Sequence, residues 1–262
     1  MTSGHTSTVF AWRAQIDPRS SEQESSAHAT RRIDWGFTTT APDVGSSIGD
    51  FAGFNLGGHV GDDPAAVEHN QSALAQEMGV DRSHLLFMNQ VHGADVVVAE
   101  GPWSGEPPAA DGVVTATPGL APVVLVADCT PILLADPEAG VVGAVHAGRP
   151  GLAAGVVDAA VSAARDLGAR RLSAAVGPSV CGRCYEVPEA MRDEVAAVHP
   201  VSATVSWAGT PALDVAAGVV ARLRSLEVDV TWVPGCTRES TQFYSYRRSA
   251  RTGRFAGVVV MA

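Results

Sequence analysis

The chain has 262 residues, which at roughly 150 per domain allows one or two domains and is enough to bury about 70–75% of the unfolded surface in one core. Hydrophobic residues make up 46% and charged residues 18%, excluding a disordered or fibrous chain. The net charge of −10 argues against non-specific binding to nucleic acid or to an anionic membrane. All 18 basic residues are Arg, so a Schiff-base lysine and a phosphate-loop lysine are both excluded.

The first residues show no basic stretch leading into an apolar one, so no secretory signal is expected. A strand is expected near Val9–Trp12. It is followed by a polar, aperiodic stretch, Asp17 to Arg32, which reads as a mobile loop rather than a domain boundary. Asp63 caps a helix that has Pro64 at its first position, apolar Val67, Leu74 and Met78, and Gly79 as its stop. Gly101–Ala110 is a Pro- and Gly-rich loop. A helical stripe runs through Leu152, Val156, Ala160, Ala164 and Leu167 to Gly168. Pro188 opens a third helix that Pro200 closes, and Leu213, Val219, Val220, Leu223 and Leu226 lie on a fourth. Short runs rich in β-branched residues predict strands at Leu85–Met88, Val96–Ala99, Val123–Val126, Val141–Val145, Val228–Val233 and Val258–Val260. The apolar runs over 139–164 are broken by His146, Arg149 and Asp158, so none reads as a membrane span. The mixture implies an α/β (α+β) chain with a sheet core covered by helices.

Three runs end alike: one leads to His92, one to Asp128-Cys129 and one to His146. Strand ends of a shared sheet can sit side by side, and functional groups gather on such rims. Two His and one Cys suit Zn²⁺ with a fourth position open. The spacings match no short finger pattern, and burial with backbone hydrogen bonds is the alternative reading. After His146, Gly-Arg149-Pro-Gly leads into a helix whose N-terminus could hold phosphate or serve only as a turn. Arg247, Arg248, Arg251 and Arg254 follow Phe243-Tyr-Ser-Tyr. They suit recognition of phosphate beside a stacked ring, or ion pairs on a solvated turn. Cys181-Gly-Arg-Cys184 could be a redox pair or half a zinc site. No second CxxC exists and no strand–CxxC–helix start is evident, so an incidental pair is favoured. Four cysteines in a chain of this length are no disulfide scaffold, and a reducing cytoplasm is the expected location.

Asn55-Leu-Gly-Gly-His59-Val-Gly-Asp-Asp63, Gln90-Val-His92-Gly, Ala127-Asp128-Cys129-Thr-Pro131, His146-Ala-Gly148, Gly177-Pro178, Cys184-Tyr-Glu-Val187, Cys236-Thr237 and Tyr-Ser-Tyr-Arg-Arg…Thr-Gly-Arg occur in that order. This series resembles the YfiH-type laccase-domain family, also called multicopper polyphenol oxidase-like or purine nucleoside phosphorylase-like. The match covers about residues 35–262, with residues 1–34 adding a strand and a loop to the same domain. The resemblance implies a single domain with layered mixed sheets flanked by helices, and a metal, usually zinc, at His92, Cys129 and His146. Two departures bear on the substrate pocket. The family's usual Trp-Arg-Gly after His-Ala-Gly is Arg149-Pro150-Gly151 here. Near Thr38 its Arg-Gly-Gly-Val-Ser-like turn is also absent.

The chain has eight His and no His-x-His, so it lacks the ligands for several copper centres; Cu²⁺ in the single site remains an option. The resemblance implies phosphorolysis of adenosine, inosine and methylthioadenosine, and deamination of adenosine, with a purine nucleoside and phosphate as small-molecule partners. In this reading Asp128 is a general acid/base or orients a ligand, while Asn55, Gln90, Arg149, Arg247 and Arg248 contact substrate. The alternatives are a hydrolase editing peptidoglycan precursors, with zinc or with Cys129 as nucleophile, and a copper-loaded polyphenol oxidase.

Overall fold

A computed structural model describes residues 9–16 and 31–262; most of the expected loop Asp17–Arg32 lies outside the described residues. In chain order the elements are β1 (Phe10–Ile16), β2 (Ile33–Thr38), α1 (Pro64–Met78), β3 (Leu85–Leu86), β4 (Val96–Val98), β5 (Gly112–Thr115), β6 (Ala121–Val126), β7 (Thr130–Asp136), β8 (Val141–Ala147), α2 (Arg149–Ala154), α3 (Val156–Asp166), β9 (Ser173–Val176), α4 (Glu189–Val198), β10 (Ala203–Val205), β11 (Pro211–Leu213), α5 (Val215–Ser225), β12 (Asp229–Trp232) and β13 (Phe255–Met261). Helix α1 starts as its sequence requires: the Asp63 side chain accepts from the Ala65 amide, and Gly79 ends it in the left-handed conformation.

The strands form a five-stranded sheet, β1-β2-β13-β6-β3, a six-stranded sheet, β12-β9-β7-β8-β5-β4, and a two-stranded ribbon, β10-β11. Alternation along the central strands explains the layering. Trp35, Phe37, Val124, Val126, Leu133, Ala135, Val142 and Ala144 fill the space between the two large sheets. The opposite faces of β7 and β8, with Ile132, Leu134, Val141 and Val145, pack on α3 and α5. The outer face of β6 and β13 packs against α1 through Val123, Leu125, Val258 and Leu74. Both faces of each central strand are therefore buried, which is why the sequence shows continuous apolar runs rather than polar alternation.

Two expectations change. The stripe 152–167 is two helices, α2 and α3, separated by Gly155 at φ 90°. Strands β2, β5, β7 and β9, absent from the sequence reading, complete the two large sheets. No helix among the described residues is long and apolar enough to cross a membrane.

Candidate active site

The chain passes from β6 in one sheet to β7 in the other through only Ala127, Asp128 and Cys129. So short a crossover needs an unusual backbone, and Asp128 sits at φ 106°. Its carboxylate holds that conformation. Oδ1 accepts from the Thr237 and Ser245 hydroxyls, each at 2.6 Å, and Oδ2 from the Arg247 amide at 2.6 Å. The crossover carries Cys129 to the open end of the layer between the sheets.

There the Cys129 Sγ lies 3.7 Å from His92 Nε2. The His92 and His146 rings stand edge to face, 4.7 Å apart. One ligand atom from each of the three residues lies within 4.8 Å of the others. His146 is the penultimate residue of β8, whereas His92 sits in a loop well beyond the short strand β3, at φ 61°. The expected convergence occurs, although not all from strand ends.

The residue that sets both histidines is Asp111, which the sequence reading missed. Its carboxylate is fully buried; it accepts His146 Nδ1 at 2.7 Å and the amides of His92 and Gly93 at 3.0 and 2.6 Å. One carboxylate thus anchors the ring of one histidine and the backbone of the other, and directs Nε2 of His146 inward. Asp111 immediately precedes β5, and β5 pairs with β8 so that Gly112 faces Val145. Gly148 must be glycine: a Cβ there would lie 2.8 Å from the His92 ring and 3.3 Å from the Cys129 sulfur.

The cluster opens into a cavity of about 720 Å³ whose lining includes His59, Met88, Gln90, Tyr185, Val215 and Tyr246, a size suited to a drug- or nucleoside-sized ligand. Arg149, Arg247 and Arg254 also line it. The Arg149 side chain, at the first position of α2, makes no hydrogen bond or ion pair among the described residues. The Arg247 guanidinium lies over the Tyr185 ring at 4.5 Å and donates to the Glu186 carbonyl. Arg254 donates through Nη1 to the carbonyls of Thr252 and Gly253. Burial pulls its pKa down, against the Cys129 and Asp128 charges. Burial and the Arg254 charge lower that of His59. His59 and Arg254 belong to motifs noted in the sequence, but nothing in the spacing marked them as cavity residues.

Other expected contacts lie elsewhere or are already engaged. Asn55 is fully buried and does not line the cavity, its amide donating to Asp62 and its Oδ1 accepting from the Gly57 and Arg254 amides. Arg248 donates to the carbonyls of Thr237, Ser240 and Phe243 and does not line the cavity. Gln90 lines it while exchanging two hydrogen bonds with the Leu125 backbone. Helix α2, at the expected phosphate-binding turn, has only six residues, so its dipole adds little.

The three donors form a coupled electrostatic unit. Burial pushes the Cys129 thiol up, but the charges and hydrogen bonds of His146 and His92 outweigh it and bring it down to about 6. Burial disfavours the His146 cation, yet the Cys129 thiolate and Asp111 raise it to about 9. One soft sulfur and two imidazole nitrogens, with one histidine oriented by a carboxylate, fit a borderline metal such as zinc; copper would accept the same donors.

A family model for multi-copper polyphenol oxidoreductase laccase matches residues 34–262. A Streptomyces griseus protein called purine nucleoside phosphorylase ORF3 is 54% identical over 250 residues, covering 93% of this chain and 98% of its own. The crystal structure of YlmD from Geobacillus stearothermophilus superposes with a TM-score of 0.78 at 28% identity, over 90% of this chain and 97% of that one. That of a Bacillus licheniformis protein, YfiH, gives 0.77 at 25% identity, over 87% and 92%.

Proposed function

The chain belongs to the multi-copper polyphenol oxidoreductase laccase family, and we propose that within it the protein is a zinc-dependent purine nucleoside phosphorylase acting on adenosine, inosine and methylthioadenosine. The observation that carries this reading is the charge of the cavity. Arg149, Arg247 and Arg254 line a cavity that has a single carboxylate, Asp128, which already accepts three hydrogen bonds. A chain of net charge −10 that collects cations in one cavity is built for an anionic substrate. The name of the Streptomyces griseus relative, purine nucleoside phosphorylase ORF3, supports the reaction class.

In phosphorolysis a phosphate oxygen forms a bond to the ribose C1′ while the bond from C1′ to the purine nitrogen breaks. The purine leaves with the bonding pair and takes up a proton. The cavity arginines hold the phosphate dianion against the sugar, with charge-assisted hydrogen bonds. Tyr246 and the Arg247-covered Tyr185 offer flat surfaces to the base. His92, Cys129 and His146 would hold the metal, with Asp111 orienting His146. Such an ion would supply Lewis acidity to a substrate oxygen or to water. Adenosine deamination is a different step at a different atom: a water oxygen forms a bond to C6 of adenine, the bond from C6 to the amino nitrogen breaks, and ammonia leaves. Asp128 acts as a positioning residue that fixes the Cys129 crossover, rather than as an acid or base.

Polyphenol oxidation by several coppers does not suit the donors, because among the described residues only His92 and His146 are histidines that join a cluster of metal-competent side chains. The low Cys129 pKa favours a second reading, a cysteine hydrolase with His146 or His92 as base, as in editing of peptidoglycan precursors. It requires turnover without metal.

The test is the effect of Arg149→Ala, Arg247→Ala and Arg254→Ala on two activities of metal-replete protein. Loss of a phosphate contact, about 1.5–3 kcal/mol, should raise the KM for phosphate roughly ten- to a hundredfold while sparing deamination. Equal loss of both activities would contradict a phosphate role for these arginines.

A further inference from the structure

Away from the cavity cluster, two turns face one another. Cys181-Gly-Arg-Cys184 closes through hydrogen bonds from the Cys184 and Tyr185 amides to the Cys181 carbonyl, at 2.9 and 3.1 Å. Cys236-Thr-Arg-Glu239 closes through the Ser240 amide to the Cys236 carbonyl, at 2.9 Å. Each turn places a metal-competent side chain at its first and fourth positions. The turns are held in register by a parallel bridge between Ser179 and Cys236, and by the Thr237 amide donating to the Ser179 carbonyl. The result gathers three sulfurs and a carboxylate oxygen, all within 4.8 Å of one another. The sequence favours an incidental Cys181–Cys184 pair because it lacks a second CxxC. In the structure the second half-site is supplied by Cys-x-x-Glu.

We propose that Cys181, Cys184, Cys236 and Glu239 form a second, structural zinc site, separate from the His92, Cys129 and His146 cluster. Four protein donors with no vacant position are the signature of a structural tetrahedral site, whereas the cavity cluster offers three. Zinc–sulfur bonds of about 2.3 Å set sulfur–sulfur separations near 3.7 Å in a tetrahedron, so little contraction is needed. Partners that orient metal ligands are already present. The Cys181 amide points at the Cys236 sulfur at 3.5 Å, and the Trp207 indole donates to Glu239 Oε1 at 3.2 Å. Three thiolates and a carboxylate around Zn²⁺ leave an excess of negative charge. Each turn carries an arginine at its third position, Arg183 and Arg238, and Arg238 reaches the Cys184 carbonyl at 3.4 Å.

The position gives the ion a structural task. Thr237, inside the second turn, donates to Asp128, which holds the Cys129 crossover; Tyr185, next to Cys184, lines the cavity. Locking the two turns together therefore braces one wall of the active site.

The test uses Cys129→Ser protein, so that the cavity cluster contributes no sulfur, loaded with Co²⁺ as a probe and purified reduced. The expected result is one equivalent of tightly bound cobalt with an intense thiolate-to-cobalt absorption of tetrahedral type. Zinc should displace it and protect Cys181, Cys184 and Cys236 from alkylation. Adding Cys236→Ser should abolish the band, Glu239→Ala should weaken cobalt binding at least tenfold, and Glu239→Cys should restore it. Absence of a sulfur-to-cobalt band in folded Cys129→Ser protein would overturn the proposal. So would equal alkylation of the three thiols with and without zinc.

Discussion

Asp111 fixes the imidazole of His146 and the backbone of His92 from a fully buried position. Replacing it with Asn should leave the fold intact and lower metal affinity roughly ten- to a hundredfold, measured by competition with a chelator. Unchanged affinity would remove Asp111 from the site's support. The Cys129 and His146 shifts also fix the sign of a pH effect. Metal binding displaces protons from its ligands. Above about 9 neither group holds a proton that the metal must displace, His146 keeping only the Nδ1 proton it gives Asp111; between about 9 and about 6 His146 holds one displaceable proton; below about 6 Cys129 holds a second. From these two groups, affinity should fall about tenfold per pH unit as pH drops from 9 to 6, and about a hundredfold per unit below 6. The two values belong to the coupled pair, so the check is a titration of thiolate absorbance in metal-free protein. A midpoint near the ordinary thiol value would contradict it. Cys129, His92 and His146 were legible because soft ligands beside apolar runs are conspicuous. Asp111 was not, because its pairing with His146 exists only through the β5–β8 register.

The loop before β13 shows why neighbouring arginines differ. Arg247 turns toward the cavity and stacks on Tyr185, while Arg248 ties together the carbonyls of Thr237, Ser240 and Phe243. An irregular segment has no period from which to read that choice, so the sequence treated the pair as equivalent. Arg248→Ala should therefore destabilise the protein by about 1–3 kcal/mol and reduce phosphorolysis and deamination together. A thermal melt alongside both assays checks this, and a selective rise in phosphate KM would contradict it. The long buried strands β6, β8 and β13 were legible from their apolar runs. Strands β5 and β9 have only four residues each, and β9 is Ser-Ala-Ala-Val, which carries no strand signature. Gly155 breaks the stripe 152–167 unnoticed because α2 and α3 bury Leu152, Val156 and Ala160 in the same cluster.

At the scale of the whole molecule, two sheets enclose a shared core, helices cover their outer faces, and the site opens where the chain crosses between sheets. This layering followed from resemblance; the sequence pattern alone implied only a sheet core covered by helices. The chain carries a net charge of −10 while three arginines line its cavity, and the proposed anionic substrate rests on that contrast. The most direct measurement is the fate of inosine in zinc-replete protein with and without inorganic phosphate. The expected result is phosphate-dependent release of hypoxanthine with one equivalent of ribose 1-phosphate, lost on chelation and restored by zinc. Base release that ignores phosphate, or no cleavage of any purine nucleoside by metal-replete protein, would contradict it.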